Sequence, residues 1–147
     1  MDNFRIAINT NVFLRIEHET RDPSEVTALL GIAPTVSASQ GSEGNATIGP
    51  HGKVWALASA WAVNSKDNVE HFKWLTDALG HRGPQLAKLR EQGFDIKIYC
   101  MWIGRKGGYG GPRLTPEITT RLAELGVEVY FDFGFIDIPS QKARTEV

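Results

Sequence analysis

The sequence predicts an α+β fold, in which a mainly antiparallel sheet packs against helices on one face, as in ferredoxin-like sandwiches. Two stretches support this prediction, residues 21–37 and 114–133. Each combines a capping residue, Pro and Glu, then spaced aliphatic residues, then Leu-Gly and a β-branched residue, which is typical of a short helix that runs into a strand. Alternating apolar and polar residues elsewhere supply further strands, so the chain forms two strand–helix–strand halves.

The N-terminal half contains a long strand and a central strand. Residues 4–17 alternate with a period of two, which indicates a strand with one face on the core, and its length makes a bulge near residues 9–11 an expectation. Residues 54–63, VWALASAWAV, form an apolar run in which large residues oppose small ones. This run predicts a strand buried on both faces, although its alanines leave a helix as the alternative.

A helix and a short edge strand are predicted between these two strands. Asp22 is expected to cap the helix, with Pro23 at the first helical position, and Gly31 is expected to end it. Residues 32–37 predict a short strand, which its proline confines to the start or edge of a sheet. The Ser-, Gly- and Asn-rich residues 37–53 predict a long exposed loop.

The C-terminal half adds three helices and two strands. The predicted elements are a helix that begins at Ser65 or Asp67 and ends before Gly80, a shorter helix from Pro84 through Gln92, a strand at 94–102, a helix at 115–125 capped by Thr115, and a last strand from Val127 to Phe135. In the last strand one parity is apolar throughout, and these residues are expected to face the core: Val127, Val129, Phe131, Phe133 and Phe135.

Length and composition are those of one globular domain. The 147 residues are 41% hydrophobic and 22% charged, with a net charge of −1. Residues 1–138 are therefore assigned to a single α+β domain and residues 139–147 to a polar C-terminal tail.

The near-neutral charge gives no global attraction to nucleic acid or to a membrane surface, and no apolar run predicts a spanning helix. One cysteine and an N-terminus unlike a signal peptide favour the cytoplasm.

Two motifs give the chain a family resemblance. The first is Asp22-Pro23-Ser24-Glu25-Val26 followed by Leu29-Leu30-Gly31-Ile32-Ala33-Pro34-Thr35, and the second runs from Leu114 through Asp132. In this order and spacing they resemble the domain-of-unknown-function family 4279, and the resemblance spans nearly the whole chain. It implies a small α+β domain, mainly bacterial, with no assigned activity and no catalytic residues to carry over.

The glycine-rich stretch GRKGGYGGPR, residues 104–113, is the strongest candidate for a ligand site. Arg105, Lys106 and Arg113 supply positive charge, and Tyr109 supplies a ring for stacking. The stretch precedes a helix N-terminus, where free amides favour an anion, so a phosphate, a nucleotide or an RNA segment could bind there. It matches neither the phosphate-loop nor the dinucleotide pattern, and a flexible loop with solvated basic residues is the alternative.

The other chemistry-bearing residues are expected to be structural. The four histidines lack the spacing of a metal site and are expected to be solvated or to cap turns. Cys100 shares the parity of core residues in its strand, which predicts a buried, inert thiol, and Asp132 is expected to face solvent. Most of the tryptophans are assigned to packing, whereas a Trp55 or Trp61 exposed beside the loop at 37–53 would indicate a partner surface.

No motif specifies a reaction, and the sequence favours a non-catalytic protein-binding module of the immunity or regulatory type. The alternatives are binding of an anionic ligand or RNA through residues 104–113, and a small enzyme of unassigned class. No cofactor, no metal and no membrane association is expected. An exposed sheet face or edge could also form a homodimer.

Overall fold

The computed structural model describes residues 7–38, 52–108 and 110–137. Most of the predicted loop at 37–53, the predicted tail at 139–147 and Tyr109 lie outside these residues. Within them, five strands and four helices form an α+β fold with one mixed sheet.

The elements follow one another in the order that the sequence predicts. The strands are β1 (Ala7–His18), β2 (Val36–Ala38), β3 (Lys53–Ala58), β4 (Asp95–Arg105) and β5 (Glu128–Ile136). The helices are α1 (Ser24–Leu30), α2 (Asn68–Leu79), α3 (Gly83–Glu91) and α4 (Pro116–Leu125). The expected bulge in the first strand lies slightly earlier than predicted, where the β1–β4 register shifts between Ala7 and Asn9.

The sheet has the strand order β2-β3-β1-β4-β5. β1 lies at its centre and pairs antiparallel with both β3 and β4, and β2 pairs antiparallel with β3. β4 and β5 are parallel, because the chain crosses from one to the other through α4. The sheet is therefore mixed, and the ferredoxin-like assignment stays a prediction.

One hydrophobic core joins the sheet to all four helices. Its strand side is a single row of inward residues from the central strands: Val12, Leu14, Ile16, Trp55, Leu57, Ile96, Ile98 and Cys100. Its helix side consists of buried residues from every helix: Val26, Leu30, Phe72, Leu75, Leu79, Leu86, Leu89, Ile118, Leu122 and Leu125. Because one row of strand residues meets all the helices, the helices cover the same face of the sheet, as predicted.

The start of α1 differs from the prediction by one residue. Pro23 occupies the cap position rather than the first helical position, and the helix begins at Ser24. Asp22 still satisfies a free amide at this end, since its carboxylate accepts the Ser24 N–H at 2.9 Å. The predicted capping function of Asp22 therefore persists in a turn that precedes the helix.

The strand predicted at 54–63 ends early. β3 stops at Ala58, and the chain turns at Ser59, whose carbonyl accepts two amides of the turn at 3.0 Å each. Ser59 fixes this turn to the central strand, because its hydroxyl accepts the Val12 amide at 2.9 Å. Trp61 therefore lies beyond the strand and is 80% exposed, which corrects its expected place on the core face.

The apolar row of β5 is also less buried than predicted. Val127 is buried and Val129 is partly buried, but Phe131, Phe133 and Phe135 are exposed. β5 is the last strand of the sheet, so it has a neighbouring strand on one side alone among the described residues. The predicted parity is confirmed, whereas the predicted burial of the three phenylalanines is wrong.

Candidate functional site

β5 concentrates the exposed apolar surface of the described residues. Among the described residues, seven large hydrophobic side chains are exposed, and five of them lie on β5. Their exposed fractions are 43% for Tyr130, 39% for Phe131, 59% for Phe133, 44% for Phe135 and 46% for Ile136. We call these five residues the β5 patch; Phe131, Phe133 and Phe135 lie on one face of the sheet, and Tyr130 and Ile136 lie on the other. A row of exposed aromatic residues such as the three phenylalanines marks an interaction surface more often than isolated exposed residues do.

Buried neighbours hold two of the three phenylalanine rings of the β5 patch in place. Phe131 packs against Phe72 of α2 with ring centroids 6.2 Å apart, and Phe135 meets Trp102 edge to face at 5.6 Å. Gly104 permits the second contact, because a Cβ there would collide with the indole and lie 3.3 Å from the Phe135 ring. Rings that are already fixed lose little freedom when a partner binds, which favours binding.

The opposite face of β5 is anchored by an aromatic ladder. Tyr130 stacks on Tyr99 at 5.5 Å, and Tyr99 stacks on Phe13 at 5.2 Å, so the ladder crosses three neighbouring strands. The Lys97 ammonium lies 5.5 Å from the centroid of the Tyr130 ring. The Tyr130 hydroxyl donates to the Glu128 carboxylate at 2.8 Å, and this hydrogen bond raises the pKa of Tyr130. Tyr130 is therefore fixed on its strand although nearly half of it is exposed.

The outer backbone edge of β5 carries polar groups that point away from the sheet. The Lys106 amide donates to the Ile136 carbonyl at 2.8 Å, which turns the backbone groups of Ile136 toward β4. Because these groups alternate sides along a strand, Phe131, Phe133 and Phe135 direct their N–H and C=O outward. No described residue pairs with this side of the strand.

The sequence of β5 protects this edge only weakly. Natural edge strands use charged residues, especially Lys, and also Pro and bulges to prevent unwanted pairing, whereas EVYFDFGFI contains no Lys and no Pro and has one central charge, Asp132. Alternation alone assigned its phenylalanines to the core. One sequence signal could have indicated that these phenylalanines are exposed. They form a row on the last predicted strand, and such a strand can lie at the edge of the sheet with one neighbouring strand.

The match to known proteins covers most of this arrangement. The family model described as "Domain of unknown function (DUF4279)" matches residues 8–135. The chain belongs to the DUF4279 family. The match confirms the resemblance carried by the two sequence motifs, and it includes the three exposed phenylalanines of β5. No curated protein and no solved structure matches the chain.

In this DUF4279 domain the predicted ligand stretch begins beside the β5 patch. Arg105 is the last residue of β4 and Lys106 follows it, and both are exposed. Lys106 lines an open depression of about 550 Å³ together with Phe135 and Asp137. The carboxylate of Asp137 in the same wall weakens the attraction of this depression for an anion. Tyr109, the predicted stacking residue, lies outside the described residues.

Arg113, at the other end of the stretch, is held by the start of α2. Its guanidinium lies 3.2 Å from the Asp67 carboxylate. The backbone N–H of Arg113 donates to the Asn68 side-chain oxygen at 3.0 Å, and the backbone carbonyl of Arg113 accepts from the Asn68 side-chain nitrogen at 2.7 Å. The fold thus fastens Arg113 to a helix, whereas Arg105 and Lys106 extend from a strand end.

A second depression, of about 460 Å³, lies at the other end of the sheet and has charged walls. Arg15, Glu17, Asp95 and Lys97 line it. These charges pair with each other, since Lys97 lies 3.2 Å from Asp95 and Arg15 lies 2.6 Å from Glu17. The small-enzyme alternative requires convergent titratable groups aimed at a substrate, and these four groups are instead engaged in ion pairs.

A buried serine–histidine pair was not anticipated from the sequence. The Ser59 hydroxyl lies 2.6 Å from His71 Nδ1, and His71 Nε2 lies 2.6 Å from the Ser65 carbonyl. Since a carbonyl accepts, Nε2 donates to Ser65, and Nδ1 shares a hydrogen bond with the serine hydroxyl. His71 is 1% exposed and Ser59 is fully buried, so no substrate reaches the pair. It fastens the turn after β3 to α2, and the expected solvated or turn-capping role is wrong for His71.

Three other predictions are confirmed. Cys100 is fully buried, and burial raises the pKa of its thiol to about 12. His18 caps a turn, because its Nδ1 accepts the amides of Thr20 and Arg21 at 3.1 Å each. Asp132 is exposed as expected.

The described ranges contain no group of three or more His, Cys, Asp or Glu side chains that could hold a metal ion. Among the helices that they include, none is long and apolar enough to cross a membrane.

Proposed function

We propose that this DUF4279 domain is a non-catalytic protein-binding module of the immunity or regulatory type, and that it binds its partner through β5. The observation that supports this proposal is the row of exposed phenylalanines, Phe131, Phe133 and Phe135, on the outermost strand of the sheet. Aromatic side chains are enriched in the cores of protein interfaces and supply much of their binding energy. A partner strand could add to β5 through its outward backbone groups, while the rings provide specificity.

Phe133 is the residue expected to contribute most to binding. It lies at the centre of the row and is the most exposed member, at 59%. Its substitution by serine removes a large interface side chain but little of the core, so the variant should fold. A central aromatic residue of this kind contributes about 2 kcal/mol or more, which corresponds to roughly a 30-fold loss of affinity.

The experiment compares captured proteins from an extract of the source cells at low salt, identified by mass spectrometry. Wild type is compared with Phe133→Ser and with Trp61→Ser, which removes an 80% exposed aromatic residue from the turn after β3. We expect a specific protein to be retained by wild type and Trp61→Ser and lost with Phe133→Ser. Loss with Trp61→Ser alone would move the surface to that turn, and equal retention by all three proteins would contradict the proposal.

A second candidate is binding of an anionic ligand or RNA through Arg105, Lys106, Tyr109 and Arg113. The exposure of Arg105 and Lys106 beside an open depression favours it. The Arg113–Asp67 ion pair and the nearby Asp137 oppose it. Under this candidate, RNA affinity should fall with salt and with Arg105→Ala and Lys106→Ala together. Affinity that is insensitive to both changes would eliminate it.

We also propose a cytoplasmic location in a bacterial cell. The single cysteine suits a reducing compartment, and the resemblance to a mainly bacterial family suits the source. A ferredoxin-like fold is proposed on the two strand–helix–strand halves, in which α1 and α4 both end at a left-handed glycine, Gly31 and Gly126.

A further inference from the structure

We propose that the partner at β5 is a second copy of this chain, joined by antiparallel pairing of β5 with β5 around a two-fold axis at Phe133. This inference rests on the proposed function, since it uses the same edge, and it names the partner that the edge binds. The two sheets would then form one continuous sheet across the dimer. A two-fold axis requires a self-complementary surface, and the sequence of β5 provides one in this register.

The facing residues show this complementarity. With Phe133 on the axis, the pairs across the interface are Phe133 with Phe133, Phe131 with Phe135, Asp132 with Gly134, and Tyr130 with Ile136. The phenylalanine pairs lie on the helix side of the sheet and extend one aromatic row through both copies. The Asp132–Gly134 and Tyr130–Ile136 pairs lie on the opposite side of the sheet. Aromatic and aromatic–aliphatic pairs directly across antiparallel strands are favourable.

The backbone of β5 suits the same register. Phe131, Phe133 and Phe135 direct their N–H and C=O groups outward, as the Lys106–Ile136 hydrogen bond implies. In an antiparallel pair, two facing residues with outward groups exchange both hydrogen bonds. The axis at Phe133 therefore pairs each outward group with another outward group.

Neighbouring registers are less favourable because of Asp132. An axis at Asp132 sets the two Asp132 carboxylates directly opposite each other, and facing like charges destabilise a pair of strands. An axis at Gly134 sets Asp132 against Ile136, which places a carboxylate on an apolar partner. Asp132 therefore favours the axis at Phe133 over the axes at the two adjacent residues.

The available surface is close to the lower limit of a specific interface. Aromatic side chains bury about 150–250 Å² each, so the exposed fractions of the β5 patch leave roughly 450 Å² per copy. Two copies offer roughly 900 Å² before the backbone edge is counted, close to the lower limit of about 1,200 Å² for stable protein interfaces. A dimer of moderate affinity is therefore expected rather than an obligate one.

Cysteine substitutions can test both the dimer and its register. Asp132→Cys and Gly134→Cys are prepared in the full-length chain, where the natural Cys100 is fully buried. A side chain at Gly134 meets no other atom within 4 Å, so the substitution is tolerated. In the proposed register the two positions face each other at about 4.5 Å between Cα atoms, a distance at which a disulfide can form.

We expect wild type to be dimeric by light scattering at roughly 100 μM, which is well above micromolar dissociation constants. After mild oxidation, the mixture of the two variants should give a covalent dimer, and Gly134→Cys, which keeps Asp132, should not do so alone. A covalent dimer from Gly134→Cys alone would overturn the register. A monomer without cross-links would overturn the inference altogether.

The monomeric outcome still separates this inference from the proposed function. If wild type is monomeric but Phe133→Ser loses a captured protein of another sequence, β5 binds a different partner and the proposed function stands. If Phe133→Ser also leaves every captured protein in place, both proposals fail. A third possibility is that residues 138–147 of the same chain occupy the edge. Cleavage after residue 137 removes them, and a dimer that forms after this cleavage but not before it would mean that these residues occupy the edge.

Discussion

Phe135 and Trp102 meet edge to face, with their ring centroids 5.6 Å apart and their planes at 77°. The contact joins an exposed residue of β5 to a buried residue of β4. It depends on Gly104, since a Cβ at that position would overlap the indole ring. The exposed aromatic row is therefore built outward from the core, and its geometry depends on the packing beneath it.

Gly104→Ala is expected to lower the free energy of unfolding by about 1–3 kcal/mol, because it over-packs the contact between Trp102 and Phe135. Gly134→Ala is the matched control on the neighbouring strand, where a Cβ meets open space. The control should be neutral within about 0.5 kcal/mol. Chemical denaturation of both variants checks this prediction, and equal stability of the two would contradict it.

Ser59→Ala is expected to lower the free energy of unfolding by about 1–3 kcal/mol, because it leaves buried polar groups without a partner. The Val12 amide and His71 Nδ1 both lose their hydrogen bonds to the serine hydroxyl. Ser37→Ala, on an exposed position of β2, serves as the control with little expected change. A stable Ser59→Ala protein would show that the pair does not fasten the turn after β3.

Cys100 should make the domain less stable in alkaline solution. Burial raises the pKa of its thiol from 9.0 to about 12, so the native thiol stays protonated where the unfolded thiol has ionised. The unfolded state then binds fewer protons, and the free energy of unfolding falls as pH rises from about 9 to about 12. Denaturation across this range measures the effect. Cys100→Ala removes the thiol, and an unchanged pH dependence in that variant would contradict the assignment.

Asn68→Ala is expected to cost more stability than Arg113→Ala. The buried Asn68 side chain bonds to both backbone groups of Arg113, and its removal costs about 1–3 kcal/mol. The Arg113–Asp67 ion pair is solvent-exposed on the arginine side, so its loss costs about 1 kcal/mol or less. Thermal unfolding of the two variants gives the order, and a larger loss with Arg113→Ala would reverse this account of the loop.

Local features of the fold could be predicted from the sequence, because their causes are local. Thr115 caps α4 and Gly126 ends it as expected, since a cap depends on residues within one turn. Alternation also gave the correct parity of β5. It could not give the burial of Phe133, because burial depends on which strand occupies the edge of the sheet, and strand order is set by distant pairings.

The candidate site was harder to predict for the same reason. Ser59 and His71 are 12 residues apart and meet only because the chain turns after β3. Trp61 shares the parity of Trp55 yet lies outside the strand, since that turn ends the alternation at Ala58. Residues 104–113 were identified from charge and glycine content, which do not reveal that Arg113 is tied to Asp67.

The central claim, that β5 is the binding edge, can be tested by amide hydrogen exchange measured residue by residue. In the free monomer the outward amides of Phe131, Phe133 and Phe135 should exchange fast, whereas those of Tyr130 and Asp132, directed to β4, should be protected. Raising the protein concentration into the range of the dimer, or adding a captured partner, should protect the three outward amides selectively. Binding that leaves their exchange unchanged would contradict the account.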